Sequence, residues 1–193
     1  MNEFSKYSDL ELSFLMRSDN KEIRKKAFDE VYVRYSSVIY TYCFRFLRNE
    51  ELAKDIFQDT FVKLFDHIQV KTEGVENLGG YLLKIARNFC LNEKNFNKTK
   101  KVVNIDDVEI NHNDDNYEQK QNRELLLKSL NLLPAKYREL LILKEFLNYT
   151  YKEIADITEQ TRSNVGIMIH RAKQMLKEIV LKVHKINKIE IED

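Results

Sequence analysis

Apolar residues recur along this chain three and four positions apart, the period of helices that pack by one face. In the first hundred residues this predicts four helices, near 8–17, 21–48, 50–69 and 78–97. Leu10, Phe14 and Leu15 give the first an apolar stripe. Ala27, Phe28, Val31, Tyr35, Val38, Ile39 and Tyr42 keep register through the second, and Phe46 and Leu47 carry it to a break at Arg48-Asn49-Glu50. Ala53, Phe57, Leu64 and Phe65 are expected to face inward from the third. Gly79-Gly80 opens the fourth, with Leu82, Ile85, Ala86 and Phe89 as its expected buried side.

The period then fails. Residues 104–116 are rich in Asn and Asp, which favour turns over helix interiors, and 104–118 reads as a flexible acidic linker. Beyond it Leu125, Leu126, Leu130 and Leu133 mark an amphipathic helix, and Pro134 fits the first position of the next. That helix runs through Tyr137, Leu140, Leu141, Leu143 and Lys144 to about Leu147. Thr150-Tyr151-Lys152-Glu153 is a capping box opening a short helix with Ile154, Ala155 and Ile157 apolar. After a turn at Thr158-Glu159-Gln160, Thr161 can cap a long last helix whose inner face is Val165, Ile169, Ala172 and Leu176. The last residues, Lys185 to Asp193, are expected to fray, and 186–193 is read as a tail.

The predicted fold is all-α: two small helical domains, 1–103 and 119–185, joined by the linker. Composition agrees, because four glycines and one proline are too few for the turns of a sandwich or barrel. Two distant cysteines, Cys43 and Cys90, make neither a disulfide scaffold nor a zinc site and suit a reducing compartment. The first residues hold no signal-peptide core, and no run approaches a membrane span, so a cytoplasmic chain without membrane insertion is expected. Net charge is +1, yet it is segregated. Residues 1–103 carry 18 bases against 15 acids, 104–118 six acids and no base, and 119–185 13 bases against seven acids. Two basic modules on an acidic tether suggest nucleic-acid contact, with ordinary surface variation as the plainer alternative.

Three constellations carry candidate chemistry. A short helix, a tight turn and a longer helix have helix-turn-helix grammar, and the small Ala155 allows a close crossing. The outer face of the second helix carries Arg162, Ser163, Gly166, Ile167, His170 and Arg171 for base edges, and Lys173 for phosphate. A plain helical hairpin is the alternative. In the third helix Asp55, Gln58, Asp59, Val62 and Asp66 share one face, suited to a basic partner surface or simply solvated. The fourth helix places Lys84, Arg87, Asn88 and Lys94 beside Tyr81, with Lys98, Lys100 and Lys101 following. Bases with an aromatic and an amide can hold a backbone and stack unpaired bases, although a basic amphipathic helix has many uses. There is no phosphate-cradling glycine loop, no metal-ligand cluster and no nucleophile–base set, so neither catalysis nor a cofactor is expected.

With these residues in view the chain resembles the bacterial RNA polymerase sigma factors of the extracytoplasmic-function group, which keep only the second and fourth sigma regions. Leu52-Ala53-Lys54-Asp55-Ile56-Phe57-Gln58-Asp59-Thr60-Phe61 is similar to the core of region two. Gly80-Tyr81-Leu82-Leu83-Lys84-Ile85-Ala86-Arg87-Asn88 is similar to the promoter-melting helix, with Tyr81 at the usual tryptophan. Leu133-Pro134 resembles the start of region four, and Glu153 to Lys173 aligns with its helix-turn-helix without a gap. Glu159 stands where a turn glycine is common, and Gly166 and Met168 where basic residues are usual.

The resemblance implies a transcription initiation factor with three contact sets. Asp55, Gln58 and Asp59 would dock on the clamp helices of core polymerase, whose flap would be a further contact. Tyr81, Lys84, Arg87 and Asn88 would hold the unpaired strand at the minus-ten element. Arg162, Ser163, Gly166, Ile167, His170, Arg171 and Lys173 would lie on the minus-thirty-five duplex. It further implies an anti-sigma factor as partner and an acidic linker threaded through the cleft that RNA later uses. Two rivals stay open on sequence alone: a free-standing helix-turn-helix regulator binding symmetric half-sites, and a helical adaptor that binds no DNA.

Overall fold

The computed structural model describes residues 3–99 and 117–192, and all the regular structure among them is helical. The described residues form two compact units, divided at the expected linker. Most of the expected linker, 104–116, lies outside the described residues. Its last two positions, Tyr117 and Glu118, already belong to a helix, so helical structure resumes earlier than the acidic composition suggests.

In the first unit a 3-10 turn at Glu3–Lys6 precedes α1 (Asp9–Leu15), α2 (Lys21–Leu47), α3 (Glu50–Val70) and α4 (Leu78–Thr99). Local chemistry sets each start. Ser8 and Glu11 form a reciprocal capping box, and Asn20 and Asn49 accept amide hydrogen bonds at the heads of α2 and α3. Asn77 does the same for α4, accepting from Gly80 N–H at 2.7 Å. Arg48, in the left-handed region at φ 56°, stops α2 and lets α3 begin two residues later. Helices α2, α3 and α4 pack against one another, and α1 lies on α2 and α4. Tyr42, Phe46, Ile39, Leu64, Leu82 and Leu83 form the centre of this core.

Two expected faces turn. In α1, Leu12 and Met16 are fully buried, whereas Leu10 and Phe14 are 37% and 50% exposed. Leu10 and Phe14 instead pack on the backbone of Gly74, where a Cβ would collide with both. Arg17 stacks on Phe14 and donates to the carbonyls of Lys71, Thr72 and Glu73, pinning the loop before α4. In α3, Ile56, Thr60, Phe61 and Ile68 join Ala53 and Leu64 inside, while Phe57 and Phe65 are only half-buried. Phe89 of α4 is likewise half-buried, and Leu83 and Cys90 complete that helix's inner side.

The second unit comprises α5 (Tyr117–Leu132), α6 (Ala135–Leu141), a π-helical turn at Ile142–Phe146, α7 (Tyr151–Thr158) and α8 (Arg162–Glu192). Ser129, Leu130 and Leu133 are buried from α5 and its end, whereas Leu126 is 42% exposed. Pro134 sits one position before α6 rather than inside it. The single helix expected to Leu147 widens, with Leu147 N–H donating to the Ile142 carbonyl. Every position from Arg138 to Leu143 is buried, more than one face of a regular helix can present, and the wider turn accommodates this. Asn148, at φ 57°, closes it. Helices α5 and α6 pack on α8. Helix α8 runs on through the expected tail to Glu192. No helix among the described residues is long and apolar enough to cross a membrane.

Candidate nucleic-acid interface

The acidic face of α3 stands as one surface. Asp55, Gln58, Asp59, Val62 and Asp66 are all exposed, opposite the buried Ala53, Ile56, Thr60 and Leu64. Gln58 and Val62 also edge an open groove of about 650 Å³ between α2 and α3. Its floor is Phe28, Tyr32, Phe57, Phe61 and Phe65, with ring centroids 5.0–6.2 Å apart, edge to face in every pair but the tilted Tyr32–Phe61, and Lys21, Arg24 and Lys25 also line it. The period of Phe57, Phe61 and Phe65 holds the signal for this groove, but periodicity alone assigns such a stripe to the core.

On α4, Tyr81, Lys84 and Asn88 are spaced i, i+3 and i+7 and share a face, with Arg87 beside it. Asn88 is exposed, and Tyr81, Lys84 and Arg87 are half-exposed, while Leu82, Leu83, Ile85 and Ala86 are buried. The Tyr81 ring is held from α3. Its hydroxyl and His67 Nδ1 are 3.0 Å apart, and Lys71 Nζ lies 4.4 Å from the ring centroid. Lys94 and Lys98 continue the α4 backbone, while Lys100 and Lys101 lie outside the described residues.

In the second unit both caps form as the sequence indicates. Thr150 and Glu153 satisfy each other's backbone amides, with the Thr150 hydroxyl chief among the contacts that hold the Glu153 carboxyl below its ordinary pKa. Thr161 Oγ accepts from Asn164 N–H at 3.2 Å. The turn is shifted by one residue, since Thr158 ends α7 and is buried, and Glu159 takes the left-handed conformation at φ 57°. Arg162, Ser163, Ile167, His170, Arg171 and Lys173 are exposed on α8, with Gly166 half-exposed among them, opposite buried Val165, Ile169 and Ala172. Lys173 is committed locally, pairing with Glu145 at 2.8 Å, a hydrogen bond that raises its pKa. His170 and Gln174 share a hydrogen bond between side-chain nitrogens 3.1 Å apart.

Comparison with known proteins decides the family. The pattern described as Sigma-70 region 2 matches residues 31–99, and that described as Sigma-70, region 4 matches 123–176. The chain belongs to the sigma-70 family. This sigma factor is 29% identical to ECF RNA polymerase sigma factor SigM of Bacillus subtilis, over 78% of this chain and 93% of that one. It is 27% identical to RNA polymerase sigma factor YlaC of the same organism, over 86% and 98%. Its fold is similar to that of RpoE of Bartonella quintana, solved with the anti-sigma factor NepR, at a TM-score of 0.66 and 22% identity, over 82% and 98% of the chains. CnrH, solved with the cytosolic domain of CnrY, gives the same TM-score at 18% identity, over 89% and 96%. The chain is thus a transcription initiation factor that directs RNA polymerase to promoters. The region 2 match spans α2 to α4, and the region 4 match runs from α5 into α8.

Proposed function

We propose that this sigma factor docks core polymerase through α3, holds unpaired promoter DNA on α4 and reads an upstream duplex element with α8. The observation that carries the reading is the α4 stripe: an aromatic, a cation and an amide at one helical spacing, on the solvent side of a capped helix. An aromatic face stacks any base, lysine neutralises phosphate, and an amide can hydrogen-bond an exposed base edge. Capturing a flipped base in this way offsets the few kcal/mol of unstacking, so opening needs no nucleotide hydrolysis.

Asp55, Gln58 and Asp59 provide the complement to a basic clamp surface, and the aromatic groove beside them adds apolar area. On α8, Arg162 and Arg171 are the bidentate donors suited to guanine, Ile167 suits a thymine methyl, and Ser163 and His170 can reach base edges or phosphate. Gly166 brings the helix backbone close without a reading side chain. Lys173 reaches phosphate by leaving Glu145. Residues 1–103 and 119–185 act as the two DNA-facing modules, and the acidic 104–118 segment occupies the RNA cleft as a nucleic-acid mimic. We further infer an anti-sigma factor as regulatory partner, as NepR is for RpoE, and a cytoplasmic site of action.

The test is transcription by purified core polymerase with and without this chain on randomised promoter DNA, with start sites mapped. A shared pair of elements upstream of chain-dependent starts is expected. Symmetric half-sites bound without polymerase would replace this reading with the free-standing regulator.

A further inference from the structure

The family's usual tryptophan is replaced here by Tyr81, which has less stacking area but carries a hydroxyl that a neighbour can hold. That hydroxyl meets Nδ1 of His67, one turn before the end of α3, at 3.0 Å, and Lys71 from the same helix end places its ammonium 4.4 Å from the ring centroid. Tyr81 stands in the first turn of α4, where the Asn77 cap fixes the backbone but not the side chain. A half-exposed ring in such a place exchanges rotamers freely unless something outside its own helix restrains it. Two groups from α3 do so, one at the ring's tip and one near its face.

We propose that His67 is a positioning residue for promoter opening: its hydrogen bond pre-orients the Tyr81 ring as the platform for an unpaired base. This rests on the reading of α4 as the strand-holding helix. The physical gain is preorganisation, since a ring already fixed loses less freedom when a base stacks on it. The bond forms in either protonation state of the imidazole, because Nδ1 can accept from the phenol or donate to it. Lys71 completes the restraint and carries the cationic character of the α4 stripe across to α3. The positioning role belongs to this chain's tyrosine, because a ring without the para hydroxyl cannot be tethered in this way.

The experiment uses the full chain in holoenzyme, on a promoter mapped with the wild-type protein. That promoter is prepared fully paired and again with its minus-ten segment mispaired, and permanganate reactivity reads the open fraction. His67→Ala and Tyr81→Phe should each lower opening of the paired form about fivefold, the factor one net hydrogen bond is worth. Both should open the mispaired form nearly as wild type does and stay folded, with a melting temperature lowered by no more than the few degrees that one hydrogen bond is worth. The double variant should be no worse than either single one, because both remove the same bond. His67→Gln, whose amide can accept or donate, should recover part of the loss. Wild-type opening by Tyr81→Phe overturns the proposal, as does an additive double variant. Should His67→Ala unfold, Tyr81→Phe decides alone, since it keeps the ring. Tyr81→Ala separates the two levels of inference. If it opens the paired promoter normally, the reading of α4 falls; if it fails while Tyr81→Phe and His67→Ala succeed, only the role of His67 falls.

Discussion

At the scale of single residues, two positions in the helix-turn-helix carry a backbone cost that the side chain does not repay in packing. Glu159 ends α7 at φ 57° and ψ 43°, a conformation that L-residues other than asparagine and aspartate rarely adopt. Its side chain is exposed, so glycine there should relieve strain and stabilise the second unit by about 1 kcal/mol, after allowing for glycine's larger unfolded-state entropy. Thermal melting of Glu159→Gly checks this, and upstream-element selection should stay unchanged. Gly166 presents the converse case. A Cβ built on it meets nothing nearer than Tyr151 Cε2 at 4.0 Å, and its φ is not positive, so neither packing nor turn geometry requires a glycine. Gly166→Ala should therefore stabilise α8 by up to about 1 kcal/mol. If the bare backbone serves close approach to DNA, the same variant should weaken binding of the upstream duplex despite its higher melting temperature. Both residues stand out in the sequence alone, as a missing glycine in a turn and an extra one in a helix. Only the dihedral and the open space around each give the sign of the substitution.

At the scale of elements, helix starts were legible and helix faces were less so. A cap is local chemistry: Thr150 with Glu153 and Thr161 with Asn164 need no other part of the chain. Thr150→Ala should cost about 1 kcal/mol of stability by freeing the first amides of α7. The pH dependence has a definite sign. Because the folded-state pKa of Glu153 is lowered, its contribution is complete above the ordinary glutamate value and fades as pH falls through the lowered one. Acid unfolding of the Thr150→Ala variant should accordingly show a smaller pH-dependent loss than wild type. Faces depend on neighbours, and the inward assignments of Leu10, Phe14, Leu126, Phe57 and Phe65 went wrong for that reason. Gly74 lets Leu10 and Phe14 pack on loop backbone, and Phe28 with Tyr32 turns the α3 phenylalanines into a groove. Periodicity also cannot announce a π turn, because six successive buried positions form no repeat. On α8 the exposed face was legible, but the engagement of Lys173 by Glu145 across the unit was not. Arg171→Ala should flatten one position of the upstream preference, at a discrimination of roughly 1–3 kcal/mol for a guanine contact. Lys173→Ala should lower affinity evenly and reduce salt dependence, with a small effect because an exposed lysine already held by Glu145 yields little net gain. Selection from a randomised upstream element with each holoenzyme distinguishes the two.

At the scale of the whole chain, the proposed contact surfaces are ones that the fold does not need, and this makes the proposed polymerase docking separable from stability. Asp55 and Asp59 are exposed on α3, while the residues that hold that helix in place, Ala53, Ile56, Thr60, Phe61, Leu64 and Ile68, lie on its other side. Replacing both acids by lysine gives the new cation at position 55 a favourable partner one turn earlier in Glu51. It also sets both new cations in a like-charged row with Lys63. Pairs of that kind cost or gain roughly 0.2–0.5 kcal/mol each, so the net change in stability should stay below about 1 kcal/mol. The effect on binding should be far larger. Complementary charge steers encounter, and like charge at an interface costs several kcal/mol, which is enough to abolish co-purification with core polymerase. The expected outcome for Asp55→Lys with Asp59→Lys is therefore unchanged helix content, a melting temperature within a few degrees of wild type, and no recovered holoenzyme. Retained co-purification would move the docking site off this face, to the aromatic groove between α2 and α3. Phe57→Ala tests that location separately, since Phe57 is half-buried in the groove floor, where its ring meets those of Tyr32, Tyr40 and Phe61. A double reversal that unfolds would instead show that the acids hold α3 in place.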